Sequence, residues 1–467
     1  MADPMGSESA NVSESELQRD LKPRHVQMIA IGGTIGVGLF LGSGLSIHQA
    51  GPALLIVYAI VGAAIYLLMR ALGEMLLYKP VAGSFVTYAR EFIGPWAGFA
   101  TGWTYWAMWV TTVMAEVTAI GIYVQYFFDI PQWIPALVAV VLMTLANLAI
   151  VSLYGELEFW FALIKIITIL GLIAIGIFVL ITGFGSLGDT ASVANLWQDG
   201  GVAPNGMTGI LTSLTIVAYS FLGIEIVGVT AGEAKDPQRT LPRAINQIVL
   251  RILIFYIGSL AIIMMLIPWN QINPDASPFV TVFGQIGIPA AAGIVTLVVI
   301  TSALSSSNSG LYSSGRMMYS LAEENQAPRA FAKLSKNKVP AAGIYLSSLI
   351  MVGGVVINYV APAEAFVYIT SVATCAALWT WVMIVLSHLK FRRLVNKGDI
   401  ESSHFRLSGA PWTDYFVLLF VAVTFVMTAY NSDTRIAIVV AVVWAIGLAI
   451  AYLFLHRKTR VRSTISK

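Results

Sequence analysis

The sequence predicts an all-α integral membrane protein with about twelve spanning helices. Three observations predict it. The composition is apolar and poor in charge, the apolar residues fall into stretches of bilayer length, and the basic residues collect on one side. Of 467 residues, 57% are hydrophobic and 11% are charged, where a soluble domain carries roughly 25% charge. So few charges cannot solvate the surface, and most of it must face lipid. A soluble enzyme, a nucleic-acid-binding domain and a disordered chain are excluded. The net charge of +3 implies no bulk electrostatic partner. The single cysteine, Cys375, excludes a disulfide framework and reads as a small apolar residue in a helix.

Residues 1–24 are polar and carry Glu8, Glu14, Glu16 and Asp20. A cleavable leader starts basic and turns apolar at once, so this segment reads as a solvated tail before an uncleaved span. The apolar stretches then run over 26–47, 51–77, 96–127, 133–153, 157–181 and 207–230. The second set covers 247–267, 278–311, 341–360, 363–388, 414–430 and 435–455. Three of them exceed one bilayer thickness, so tilt or a break is expected.

With the N-terminus inside, all but Lys165 and Arg435 of the 27 Lys and Arg residues fall on the inner side. The longest outer loop, 182–206, has Asp189 and Asp199 but no basic residue. Such a bias sets orientation and supports the span count. Trp133, Trp197 and Trp269 stand near the predicted outer edges. The chain divides into a tail (1–24), a first half (25–182), a second half (207–390), two further helices (414–456) and a basic tail (457–467).

Two spans differ from the plain runs of Ile, Leu, Val and Ala. The first contains Gly32, Gly33, Gly36 and Gly38 within seven positions, and each glycine weakens a helix by about 1 kcal/mol relative to Ala. Close helix packing asks for one small residue in four; the denser run points to an unwound segment lined by protein or ligand. The sixth span has Gly223 at its middle and Glu225 just beyond. These spans are five helices apart. Five is odd, so a second copy of a five-helix unit inserts upside down. Paired interrupted helices at matching places are the sequence mark of a transporter's central site. Half-helix N-termini suit an anion, and unwound carbonyls suit a cation. Together they form a zwitterion site without a charged side chain.

Ionisable residues at membrane depth default to function, and three stand out: Glu116, Lys165 and Glu225. Lys165 lies eight residues past Leu157, roughly 12 Å along a helix, too deep to snorkel fully. It suits proton exchange or a fixed positive charge in place of a sodium ion. For Glu116 and Glu225 the plain alternative is a static, hydrogen-bonded core carboxyl. The histidines (His25, His48, His388, His404, His456) all fall at span ends or in loops. No metal-ligand spacing and no nucleophile–His–acid arrangement is seen, so no cofactor is expected and an enzyme is disfavoured. Ser302, Ser305, Ser306, Ser307, Asn308, Ser309, Ser313 and Ser314 crowd the eighth span, either as packing hydrogen bonds or as a wet face. The loops 232–244 and 322–329 read as positive-inside loops or inner gates. Asn325 suits a left-handed helix stop, with Pro328 beyond it.

Several motifs occur in order: Arg24-His25-Val26-Gln27, Gly32–Phe40, Met69-Arg70-Ala71-Leu72-Gly73-Glu74, Glu158–Lys165, Gly223-Ile224-Glu225, Gly232–Ala244, and Asn308-Ser309-Gly310 with Arg316-Met317. In this combination the chain resembles bacterial amino acid permeases of the amino acid–polyamine–organocation superfamily. The resemblance implies a leucine-transporter-like five-plus-five inverted repeat with discontinuous first and sixth helices, plus two C-terminal helices. It implies that amides of Gly36, Val37 and Gly38 hold a substrate carboxylate. Carbonyls near Gly33 and Thr34 and near Tyr219, Ser220 and Leu222 would hold the ammonium. Ile35, Gly223, Glu116, Asn308 and Ser309 complete the expected substrate set. Lys165 matches a fifth-helix lysine assigned to proton coupling, with Glu116 and Glu225 lining the site. The implied activity is proton-coupled import of a free amino acid across the cytoplasmic membrane, with both termini inside; an exchanger is the alternative, and a membrane amino acid sensor a weaker one. Local stretches resemble permeases for asparagine, D-serine/D-alanine/glycine, aromatic residues and 4-aminobutyrate, and a neutral substrate is expected. Two departures stand in an inner loop: Asn325 and Lys338 occupy positions where relatives often have Gly.

Overall fold

The computed structural model describes residues 35–465 other than 82, 150, 227, 229–236 and 289. The expected first span before Ile35, the N-terminal tail and residues 232–236 of the expected loop 232–244 lie outside the described residues, while 237–244 are helical rather than loop. Every regular element among the described residues is helical. That is what lipid demands of a backbone whose N–H and C=O groups have no water to turn to. Nine described helices are long and apolar enough to cross a membrane, and two shorter apolar helices accompany them.

The helices are numbered in chain order. The first half comprises α1 (Val37–Phe40), α2 (Gly42–Ala50), α3 (Leu54–Tyr78), α4 (Ser84–Tyr88), α5 (Pro95–Val124), α6 (Trp133–Ala149) and α7 (Val151–Thr182). Next come α8 (Gly206–Tyr219), α9 (Pro237–Arg251), α10 (Ser259–Leu266), α11 (Pro278–Gln285) and α12 (Ala291–Glu323). The chain continues with α13 (Ala341–Val360), α14 (Ala365–Lys397), α15 (Trp412–Tyr430) and α16 (Ile436–Ile465). Helix α5 is central: it packs along α12 and α14 and also touches α6 and α13. Helix α8 lies against α2, α3, α14 and α15. The broken end of α8 therefore meets α1 beside the middle of α5.

Three expected boundaries are corrected. The stretch 278–311 is not one span: α11 ends at Gln285, Gly287 takes φ +88°, and α12 starts afresh at Ala291. No turn falls at 154–156, because α7 begins at Val151. Lys165 therefore lies about 14 residues, or 21 Å, into its helix rather than eight residues. The seventh stretch starts earlier than residue 247, at Pro237. Its helix α9 passes through a π-helical segment, Ile252–Gly258, into α10.

Two long helices stop by the same device. At the end of α12, Asn325 takes φ +58° and the Gln326 and Asn325 amides donate back to Leu321 and Ala322. At the end of α14, Gly398 takes φ +81° and the Asp399 and Gly398 amides donate to Leu394 and Val395. Both satisfy carbonyls that the helix leaves open. The loop 182–206, expected on the outer side, is tied down: the Trp269 indole donates to the Asp199 carbonyl at 2.9 Å, and the Ala53 amide to the Val202 carbonyl at 2.7 Å.

Candidate functional site

Helix α1 begins at extended Gly36, with φ −124° and ψ −161°. The first-helix segment therefore enters its first turn with amides that the helix itself does not pair. Helix α8 ends at Tyr219, and the chain then proceeds by three-residue turns through Phe221, Leu222, Ile224 and Ile226, with Gly223 at φ +86°. That value is one a side-chain-bearing residue rarely adopts. The two irregular segments touch: a Cβ on Gly38 would lie 2.8 Å from the Ser220 Cα. Glycine at 38 is what allows this approach.

Between them lies a cavity of about 20 Å³. Gly36 and Gly38 form one wall; Tyr219, Ser220 and Leu222 form the second; Trp109, Thr112 and Glu116 of α5 the third; and Ser306 of α12 closes it. The Glu116 carboxyl rests on the start of α1. It accepts the Val37 amide and the Ser306 hydroxyl, and Lys165 is the positive charge nearest it. Its Oε1 stands 2.5 Å from where a Cβ on Gly36 would be. Lys165 is fully buried and donates to the Ser305 hydroxyl at 3.1 Å. The Ile35 carbonyl accepts Ser302 at 3.1 Å.

Six expected residues thus share the cavity wall: Gly36, Gly38, Glu116, Tyr219, Ser220 and Leu222. Val37 and Ile35 lie directly behind it. Gly223 packs on the face of Trp109, with a Cβ there 2.8 Å from the ring. Asn308 is held instead by Asn147 at 2.8 Å, and Ser309 is buried in α12. Neither forms part of the wall. Glu225 is buried beyond Gly223, beside the Trp381 indole. Gly33 and Thr34 lie outside the described residues. Of the serine run, Ser306 lines the cavity, Ser302 donates to the Ile35 carbonyl, Ser305 accepts from Lys165, and Ser314 bonds within its own helix.

Sequence reasoning missed Trp109 and Thr112, and named Ser306 only as one member of the serine run. A signal was present for the first two. Trp109 and Thr112 precede Glu116 by seven and four positions and so share its helix face. A supporting layer also went unseen. Ser220 accepts from or donates to Tyr58 at 3.2 Å, its carbonyl accepts the Tyr256 hydroxyl at 3.1 Å, and Phe221 stacks on Tyr256 at 4.9 Å. Tyr256 stands in the π-helical segment, a local distortion that often accompanies a functional site. Among the described residues the carbonyls of Tyr219 and Ser220 each have one partner, where a carbonyl oxygen has two lone pairs.

Ionisable residues inside the bundle are more numerous than the three expected, and the placing of all histidines at span ends or in loops is corrected. His388 lies within α14, fully buried. Its ring nitrogens stand 3.2 Å from Glu74 Oε2 and 2.8 Å from Asp414 Oδ1. Glu74 also accepts the Leu407 amide at 2.6 Å and pairs with Arg392 at 3.2 Å. On the loop side, Arg90 pairs with Glu324 and the Trp103 indole donates to the Gln326 carbonyl. The segment expected as an inner gate is thereby joined to α5 and to the π-helical turn Ala89–Ile93.

Residues 25–465 match the family described as Amino acid permease. An uncharacterized amino acid permease of Bacillus subtilis (strain 168), YtnA, is 48% identical over 94% of this chain and 95% of its own length. The D-serine/D-alanine/glycine transporter of Escherichia coli (strain K12) is 44% identical over 96% of each chain. The aromatic amino acid transport protein AroP of Escherichia coli O157:H7 is 43% identical over 95% of this chain and 97% of its own. The chain belongs to the amino acid permease family: it is a multi-pass membrane transporter of amino acids and not an enzyme.

Proposed function

We propose that this amino acid permease imports a neutral amino acid across the cytoplasmic membrane by proton symport, with alternating access about the cavity between α1 and α8. One observation carries the reading. A carboxylate, that of Glu116, already rests on the Val37 amide at the start of α1. A substrate carboxylate is the same chemical group, and the amides of Gly36, Val37 and Gly38 suit it. The second lone pairs of the Tyr219 and Ser220 carbonyls suit the ammonium. Among the described residues, no charged side chain other than Glu116 lines the cavity, which favours a neutral substrate side chain. The residues 25–182 and 207–390 act as the two inverted halves, and both termini face the cytoplasm.

Lys165 and Glu116 form the coupling pair. Their opposite charges attract across the core, and proton gain by the carboxyl releases both the Val37 amide and the ammonium. Removing Lys165 takes away the partner that favours the charged carboxylate.

The test is uptake of labelled amino acids by proteoliposomes with and without an inside-alkaline gradient. Gradient-dependent accumulation is expected, and Lys165→Ala is expected to abolish accumulation while substrate binding survives. Accumulation by the Lys165→Ala protein would sink the coupling role. Uptake driven only by preloaded amino acid would support exchange instead, with the Lys165 ammonium acting as a fixed substitute for an ion.

A further inference from the structure

Trp109 is the largest side chain in the cavity wall and is held from two sides. A Cβ on Gly223 would lie 2.8 Å from its ring, and a Cβ on Gly310 would lie 2.9 Å from it. The indole is therefore wedged between the turn after α8 and the middle of α12. Tyr105 packs edge-on behind the indole at 6.2 Å and blocks its withdrawal along α5. The rest of the wall mixes small groups, at Gly36, Gly38, Ser220 and Ser306, with the side chains of Tyr219 and Leu222. A substrate whose carboxylate and ammonium engage the broken segments must fit its side chain against this indole.

We infer that Trp109 sets the upper size limit of the substrate side chain, and that the site takes the small neutral amino acids of the glycine, alanine and serine class. The clamp gives a physical reason for the limit. A flexible wall could repack around a larger ligand, whereas moving this indole displaces either the Gly223 turn or α12. An overfilled, close-packed site resists in the same way as an overpacked core. Thr112 and Ser306 add hydroxyl groups to the wall, so a serine hydroxyl meets polar partners there. The inference rests on the cavity being the substrate site.

The test uses the full-length protein in proteoliposomes. The best-transported labelled amino acid is competed with unlabelled glycine, alanine, serine, leucine and phenylalanine. Glycine, alanine and serine are expected to compete at least tenfold better than phenylalanine. Trp109→Leu is expected to shift the ratio of phenylalanine to alanine at least tenfold toward phenylalanine. Trp109→Phe, which keeps an aromatic wedge, is expected to shift it less. Wild-type protein that takes phenylalanine as readily as alanine overturns the inference, as does a folded Trp109→Leu protein with an unchanged ratio. If Trp109→Leu fails to fold, the wild-type competition series and Trp109→Phe still decide. Absence of uptake of every amino acid by the wild type would retire the proposed transport reaction instead, a result distinct from either of these.

Discussion

Lys338 holds its backbone at φ +56° and Asn325 at φ +58°. These are the two positions where the family resemblance leads one to expect glycine, and the conformation supplies the reason. Asparagine tolerates the left-handed region because its short side chain bonds locally, but lysine has no such compensation. Its turn is held by hydrogen bonds of 2.9 Å from the Lys338 amide to Ser335 and of 2.8 Å from the Ser335 amide to Val339. Left-handed strain costs a residue like lysine about 1–2 kcal/mol, and glycine gives back about 0.5–1 kcal/mol through its freer unfolded chain. Lys338→Gly is therefore expected to stabilise the protein by about 0.5–1 kcal/mol, read as a rise in melting temperature in detergent. Lys338→Ala controls for loss of the charge and is expected to give no such rise. A Lys338→Gly protein that melts lower would show that the turn is not strained. At this scale the sequence was informative where a residue type is tied to a backbone shape, as at Asn325 and Gly223. It was silent where a residue acts through a distant partner, as Tyr256 does on Ser220.

Among the elements, α3, α14 and α15 are joined by the buried cluster of Glu74, His388 and Asp414, with Arg392 at its edge. Glu74 and His388 are 314 positions apart. His388 closes an apolar stretch in the sequence and looked like a boundary residue, because hydropathy reports where apolar residues stop and not where a helix does. Helix α14 continues to Lys397, and within its last turns His388 and Arg392 reach Glu74 of α3 while Lys390, Arg393, Asn396 and Lys397 are exposed. The glycine of the motif that ends in Glu74 has a packing role: a Cβ on Gly73 would collide with the Ile245 side chain of α9. Charges removed from water are held only while each has its partner. His388→Ala leaves two buried carboxylates facing each other, and it is expected to lower stability by about 3 kcal/mol. Thermal melting and expression level in the membrane check this. A loss below about 1 kcal/mol, the usual worth of an exposed pair, would show that water enters the cluster. The broken ends of α1 and α8 were legible because dense glycine and a mid-span Gly223 are incompatible with a stable unbroken helix. Of the cavity's third wall only Glu116 was read directly, because an apolar helix buried on most sides carries no strong stripe, and Trp109 and Thr112 follow only from their spacing to that carboxylate.

For the molecule as a whole, orientation follows from charge placed outside the bilayer. The loop between α7 and α8 has Asp189 and Asp199 but no Lys or Arg, whereas the connection between α12 and α13 carries Arg329, Lys333, Lys336 and Lys338. Translocating a basic loop against the membrane potential and the anionic inner leaflet is unfavourable, so the second loop is expected on the inner side. The chain offers a clean way to test this, because its one cysteine, Cys375, is buried in α14. Asp189 and Lys336 are both exposed, so a cysteine at either place is open to a reagent on its own side. In intact cells a membrane-impermeant maleimide is expected to label Asp189→Cys and to leave the wild type and Lys336→Cys unlabelled. After lysis, Lys336→Cys is expected to label as fully as Asp189→Cys. Labelling of Lys336→Cys in intact cells would invert the topology, and with it the direction assigned to the Arg90–Glu324 closure. The segment 322–329 would then lie on the outer side, and the loop tied to Trp269 and Ala53 on the inner one.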